Sequence, residues 1–432
     1  MSAMARAPLP PHDVADLAQA GEGASRIAWA DGQMPVLAQI RQRFAAQRPL
    51  EGIRVAACLH VTAETANLAR TLAAGGASVA LCAANPLSTQ DDVAAALVLE
   101  HGIEVRAVWG EDLDTYVAHV LALLGFGSGG AATGPNITLD DGADLLITAH
   151  ARGGAALDGL IGGTEETTAG LVRLRRLEEE GTLRCPVMAV NEARTERALN
   201  DRHGTGQSTL DGIVRASNVL LAGNTVVILG YGWAGQGVAE RARGAGAAVI
   251  VCEVDPLRAL EARMAGYDVM PSLVAAERGD IFITVTGSRR VLRGRHFERM
   301  KDGALLVNAG HFDVELDLDE LAAVAIGGTR AVRPLVDEYV LTGGRRLNLL
   351  ARGRVVNLAA AEGHPAAVMD VSFALQALSV EELVRRRGEL SPVVHPVSAA
   401  IDREVGRLKL AALGVQIDEP TAEQEHYRDS WG

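Results

Sequence analysis

The sequence predicts an α/β protein built from two doubly wound, Rossmann-like domains joined by a hinge and followed by a short tail. Three observations carry this expectation. Short β-branched apolar runs alternate with Ala- and Leu-rich helical stretches, the pattern of parallel sheets with helical crossovers. One such unit holds Gly230-Tyr231-Gly232-Trp233-Ala234-Gly235 between a strand-like run and a helix-like one. A polar segment, 192–209, breaks the alternation and divides the chain.

In chain order, residues 1–25 lack an apolar leader core and read as a loose extension rather than a signal peptide. Strand-like runs follow at 53–60, 77–84, 103–110, 143–150 and 185–191 and make up the first unit. Residues 192–209 read as a hinge with a connecting helix. The second unit begins near Asn218 and takes strands from 225–230, 247–255, 280–287, 304–310 and 354–360.

Composition narrows the function. A formal charge of −13, with no basic patch interleaved with aromatics, argues against a nucleic-acid partner. No window of about 18 apolar residues is free of charge or glycine, so no membrane span is expected. Cys58, Cys82, Cys185 and Cys252 are scattered without metal-ligand spacing and read as buried thiols of a cytoplasmic protein; no metal is expected.

The glycine segment is the sharpest single signal. Gly230 permits the tight turn, Gly232 lets backbone N–H groups approach a pyrophosphate, and Gly235 lets helix and strand pack closely. Glu253 ends the next strand-like run, 18 residues beyond Gly235, where a carboxylate accepts from ribose hydroxyls and repels a 2′-phosphate. NAD is therefore the expected cofactor. Ligands of such sheets bind at the carboxyl ends of strands, so the polar residues there form one candidate cleft: His60, Thr62 and Glu64; Asp140, Asp141 and Asp144; Asn191; Asn308 and His311; Asn357 and His364.

Seven segments then spell out a resemblance. LHVTAET (59–65), NPLSTQDD (85–92), LDDGADL (139–145), GTEETTAG (163–170), GYGWAGQG (230–237), RHFERMKDGALLVNAGHFDVELD (295–317) and VVNLAAAEGHPAAVM (355–369) resemble the motifs of the S-adenosylhomocysteine hydrolase family, in order, from about residue 26 to 420. The resemblance implies a substrate domain from 26–195 plus 362–405, an NAD domain from 206–361, a shortened tail at 406–432 and a homo-oligomer, dimer or tetramer. It also implies redox-neutral chemistry on an adenine nucleoside. The 3′-hydroxyl is oxidised by bound NAD, the C4′ proton is lost, the 5′ substituent leaves, water adds, and the sugar is reduced again.

Residue by residue, Leu59, Thr62, Glu64, Leu358, Met369 and Phe373 match the adenine pocket, with Glu362 and His364 beside them. Glu166 matches the carboxylate on the ribose hydroxyls, and His60, Asp141 and His311 match groups that move protons near C4′ and C5′. Thr167, Thr168, Asp201, Thr286, Gly310 and Asn357 join the glycine turn and Glu253 on the cofactor side.

The hinge departs from the family. Glu196 stands where the family has a lysine, Asn200-Asp201 where it has Asp-Asn, and Thr205 where it has a cysteine. The whole chain holds two lysines, Lys301 and Lys409, and both align elsewhere. Glu196 beside Glu166 is expected to form a proton-sharing pair acting at the 3′-hydroxyl, with Asn200 in the same group; the competing expectation is a solvent-facing Glu196. Trp233, Arg258 and Glu362 are further departures, in the glycine turn, near the cofactor's adenosine ribose and in the nucleoside pocket. These changes lead to the expectation of a nucleoside 4′,5′-dehydratase, as in angustmycin-type antibiotic biosynthesis. The alternatives are a genuine adenosylhomocysteinase and a non-catalytic paralogue that binds nucleoside and NAD.

Overall fold

A computed structural model describes residues 8–125, 134–311 and 313–429. Its two sheets each contain eight strands. In the first, the order is 12–13, 104–106, 78–83, 54–59, 137–140, 162–165, 187–189 and 394–396, all parallel. After the edge strand 12–13 the chain crosses to the centre at Arg54–Leu59, winds outward through two strands, and returns to the other side of that central strand at Ile137–Asp140. That reversal opens a crevice beyond the carboxyl ends of 54–59 and 137–140.

The second sheet repeats the device. Thr225–Leu229 lies at the centre, 248–252 and 268–269 lie on one side, and Ile281–Thr284 and Ala304–Asn308 lie on the other. Its reversal falls between 225–229 and 281–284, beside the glycine turn.

Strand alternation explains why both sheets are covered on both faces. Val55, Ala57 and Leu59 pack in one core and Ala56 and Cys58 in another; Val226 and Ile228 are likewise separated from Val227 and Leu229. Successive side chains point to opposite faces, so a wholly apolar run needs helices on each. Helix Ala366–Arg385 returns the chain from the second sheet to the first core, burying Phe373 and Leu375 there. All four cysteines are buried and free. Among the described residues no helix is long and apolar enough to cross a membrane.

Several expectations are corrected. Residues 143–150 are not a strand but the helix Asp144–Arg152; the strand is Ile137–Asp140 just before it. The Asp140 carboxylate accepts from the N–H groups of Leu145 (2.8 Å) and Leu146 (3.1 Å), satisfying donors at the start of that helix. Residues 354–360 contain the helical turn Val356–Ala359 and pair with the sheet through an isolated Asn308–Val355 bridge. A hairpin absent from the sequence reading, 325–333 with 336–341, extends the second sheet with antiparallel pairing.

The extension read as loose is anchored from Pro10 onward. His12–Asp13 adds a strand beside 104–106, His119 bridges Asp13 and Glu111, and Ala20–Asp31 is helical. Residues 1–7 lie outside the described residues. The tail boundary at 406 falls inside the helix Ala399–Ala412, and residues 430–432 also lie outside.

Candidate active site

A cavity of about 220 Å³ lies between the two domains at the carboxyl ends of the strands. Leu59, His60, Thr62 and Glu64 reach it from the end of 54–59, and Asp141 from the end of 137–140. Glu166, Thr167 and Thr168 follow strand 162–165, while Asn200 and Asp201 come from the hinge and Ala234 from the glycine-turn helix. His311, Asn357, Leu358, Glu362, His364, Met369 and Phe373 complete the expected lining. The sequence reading had not assigned Thr65, Ala309 or Val355 to the wall.

At one end of the cavity, His60 Nε2 lies 3.1 Å from Asp141 Oδ2, and His311 Nδ1 lies 3.4 Å from Asp141 Oδ1. His60 Nδ1 pairs with the Ser88 hydroxyl at 2.8 Å. Gly142 makes this packing possible: its φ is +108°, and a Cβ there would stand 2.7 Å from His311 Nε2. Burial pushes the Asp141 carboxyl up, but His60, His311 and His364 outweigh it and hold it at about 2. Burial also lowers His311 and takes His364 down to about 4.

The other end is rich in acids. Glu166 accepts from the Ser372 hydroxyl and the Gln376 amide, and burial, reinforced by Asp141 and Asp201, lifts its carboxyl to about 8. Burial brings Asp201 to about 6. The neighbouring Glu165 is structural, accepting from Gly142 N–H, Thr167 N–H and the Thr167 hydroxyl. Ser372 and Gln376 were missed by sequence reading. They sit three and seven residues beyond Met369 on one helix face, so helical spacing from Met369 and Phe373 was the available signal.

Glu196 is 0% exposed, which excludes the solvent-facing expectation. It does not border the cavity either, but stands behind the wall, where the Asn200 amide donates to it. Burial foremost, then Glu166 and Asp201, raises its carboxyl well above the ordinary range. The hinge that carries it runs from the turn Arg194–Glu196 into π-helix Arg197–Gly204 and helix Thr205–Ser217. Thr205 and Asn357 pair with His364 Nε2 at 3.3 and 3.4 Å.

Gly230, Gly232, Trp233, Gly235, Glu253, Arg258, Thr286 and Gly310 lie outside this cavity, on the second sheet's crevice. Their geometry fits a dinucleotide. Gly230 has φ +104°, and a Cβ on Gly235 would stand 2.2 Å from the Gly230 carbonyl oxygen. A Cβ on Gly232 would meet nothing nearer than Arg258 Nη1 at 3.5 Å, and helix Trp233–Gly244 has no side-chain cap, so its first N–H groups face the crevice. Glu253 holds Tyr231 N–H at 2.7 Å, at the end of 248–252, and Glu315 accepts from the N–H groups of Thr286 and Gly287.

The family models match both halves. Residues 11–157 match S-adenosyl-L-homocysteine hydrolase, and residues 201–363 match the NAD binding domain of S-adenosyl-L-homocysteine hydrolase. The chain is 55% identical to an adenosylhomocysteinase of Aquifex aeolicus strain VF5, covering 97% of this chain and 98% of that one. It is 54% identical to an adenosylhomocysteinase of Thermosynechococcus vestitus, over 97% and 96% of the two chains. An S-inosyl-L-homocysteine hydrolase of Methanopyrus kandleri is 50% identical, over 97% of each. With both domains matched and the NAD cradle in place, the chain belongs to the S-adenosyl-L-homocysteine hydrolase family.

Proposed function

We propose that this protein eliminates the 5′ substituent of an adenine nucleoside by redox-neutral chemistry, and that its substrate is S-adenosylhomocysteine, cleaved to adenosine and homocysteine. The observation that carries the reading is an expected nucleoside pocket assembled in one cavity, in a chain 55% identical over 97% of its length to a named adenosylhomocysteinase. Bound NAD supplies reversible oxidation of the ribose 3′ carbon.

The chain's own residues do the rest. Thr62 and Glu64 hold the base, and Leu358, Met369 and Phe373 exclude water around it. Glu166 engages the ribose hydroxyls. Asp141, kept ionised by its histidines, fixes His60 and His311 where the C4′ proton departs and where the 5′ group takes or releases one.

A second reading has one specific observation behind it. Glu196 is buried beside Glu166 where the family resemblance places a lysine, so the proton apparatus at the ribose is altered. That favours a nucleoside 4′,5′-dehydratase, in which the 5′ group leaves as water and His60 or His311 acts as general acid, because hydroxide leaves far less readily than a thiolate.

Mass spectrometry of products from S-adenosylhomocysteine, adenosine and a hexulose nucleoside, run side by side in deuterated solvent, separates the readings. Adenosine and homocysteine from the first substrate support hydrolysis. A product lighter by water from either of the others supports dehydration. Absence of 4′ deuterium exchange with all three would sink both and leave a binding protein.

A further inference from the structure

We infer that Glu196 and Glu166 work as a single proton-holding pair, in which Glu166 meets the ribose hydroxyl and Glu196, behind it, is a positioning residue that sets when Glu166 can take up a proton. The inference rests on the nucleoside reading for the source of that proton. The pair itself stands on the packing.

Glu166 borders the cavity and Glu196 does not. Both are buried, at 7% and 0% exposed. Ser372 stands between them, donating to Glu166 and acting on Glu196 as well. The remaining donors are neutral: Gln376 to Glu166 and Asn200 to Glu196. Glu196 Oε2 is buried and accepts no hydrogen bond, which suits a protonated oxygen better than an anionic one.

The charged groups that face the pair are themselves acids. Asp141 and Asp201 act on Glu166, and Glu166 and Asp201 act on Glu196; Arg197 acts on Asp201 alone among them. Among the described residues no lysine or arginine forms an ion pair with Glu166, Glu196 or Asp201, and the chain's two lysines hold Asp280 and Asp370. Two carboxyls in a dry pocket without a cation cannot both ionise cheaply, so they keep one proton between them and titrate as a unit.

The pair then balances the oxidation half-reaction. The 3′ O–H bond breaks and its proton passes to Glu166, while the hydrogen and electron pair leaving the carbon go to bound NAD. The two carboxyls move from one proton to two, and their formal charge from −1 to 0. Reduction of the ketone later in the cycle returns the proton by the reverse route.

The test uses the NAD-loaded protein as wild type, Glu196→Gln and Glu196→Asp. Infrared difference spectra titrated across the neutral range read carboxyl protonation directly, and stopped-flow absorbance after mixing with adenosine reads the oxidation half-reaction. A carboxylic-acid band should persist at pH 7 in wild type beyond the band that buried Glu165 gives to every variant. In Glu196→Gln, Glu166 should ionise about 1–3 pH units lower, the size of a like-charge effect. The pH profile of the adenosine-driven absorbance should move with it, at unchanged NAD content, and Glu196→Asp should restore most of the shift.

A wild type with no band beyond that of Glu165 at pH 7, or identical profiles in wild type and Glu196→Gln, overturns the inference. Should Glu196→Gln fail to fold, the wild-type titration and Glu196→Asp decide it. If adenosine produces no absorbance in any variant, the nucleoside reading fails while the infrared titration still decides whether the pair holds a proton.

Discussion

Glu166→Gln should make the nucleoside-free protein more stable at neutral pH even as it disables the site. Burial, with help from Asp141 and Asp201, lifts the Glu166 carboxyl from an ordinary 4.5 to about 8 in the folded state. A group raised by folding contributes stability that is complete below its unfolded value and disappears as pH climbs to the folded one. Each pH unit in that window is worth about 1.4 kcal/mol, so the proton that folding adds to the Glu166–Glu196 pair should withdraw roughly 3 kcal/mol between pH 4.5 and 7. Glutamine keeps the shape and removes the titration. Ser372 can rotate and Gln376 can flip to suit an amide, and weaker hydrogen bonds there cost about 1 kcal/mol. The net is a gain of roughly 2 kcal/mol at pH 7, or about 4–8 °C in melting temperature for domains of this size, turning into a loss of about 1 kcal/mol near pH 4.5, where only the weaker hydrogen bonds remain. Thermal melts of both proteins across that range measure the difference, in which most contributions of Asp140, Glu165 and Asp201 cancel. A variant that melts no higher than wild type at pH 7, or a difference that does not change with pH, would refute the reasoning.

Three further outcomes are expected. Gly142→Ala places a methyl 2.7 Å from His311 Nε2 at a φ of +108°, so it should lower turnover by tenfold or more, about 1.4 kcal/mol, with NAD affinity measured by calorimetry unchanged. Gly235→Ala sets a Cβ 2.2 Å from the Gly230 carbonyl oxygen and should do the reverse, weakening NAD binding through a displaced turn at an overpacking cost of about 1–3 kcal/mol. His119 is raised, against the effect of burial, by hydrogen bonds to Glu111 and Asp13. Its clamp on the N-terminal strand should be complete below about pH 6.5 and loosen as pH rises through the folded value, so His119→Gln should accelerate hydrogen exchange at 12–13 more at pH 6 than at pH 9.

The parts legible in the sequence were those that local chemistry dictates. The turn at 230–235 needs glycine for reasons visible in three residues, and the strands at 54–59, 78–83, 225–229 and 281–284 announce themselves by unbroken apolar runs. Residues 143–150 misled because Asp-Leu-Leu-Ile-Thr-Ala satisfies both periods, and only the Asp140 carboxylate on the following N–H groups selects the helix. The strand at 162–165, Gly-Gly-Thr-Glu, has almost no β signal and exists because its neighbours at 137–140 and 187–189 frame it. The hairpin at 325–341 carries exposed glycines and charges, so its pairing partner, not its own pattern, makes it a strand. In the site, single residues at strand ends were readable; Ser372, Gln376 and the retreat of Glu196 behind the wall depend on how helix 366–385 docks, which is a tertiary fact.

Asp141 and Glu166 both line a single cavity and both are buried, yet one is held at about 2 and the other at about 8. Desolvation penalises both, so the difference comes from company. Asp141 faces two imidazoles, whereas Glu166 faces a hydroxyl, an amide and other acids. A cavity that separates two carboxyls in this way assigns their work before any ligand arrives. At neutral pH Asp141 remains an anion that orients His60 and His311, and the acid cluster keeps a proton at the other end of the cavity. On the proposed function the division holds for either leaving group, because it would act at C3′ and C4′, upstream of the bond that breaks at C5′. What a substrate adds is the order in which those two ends of the cavity are used.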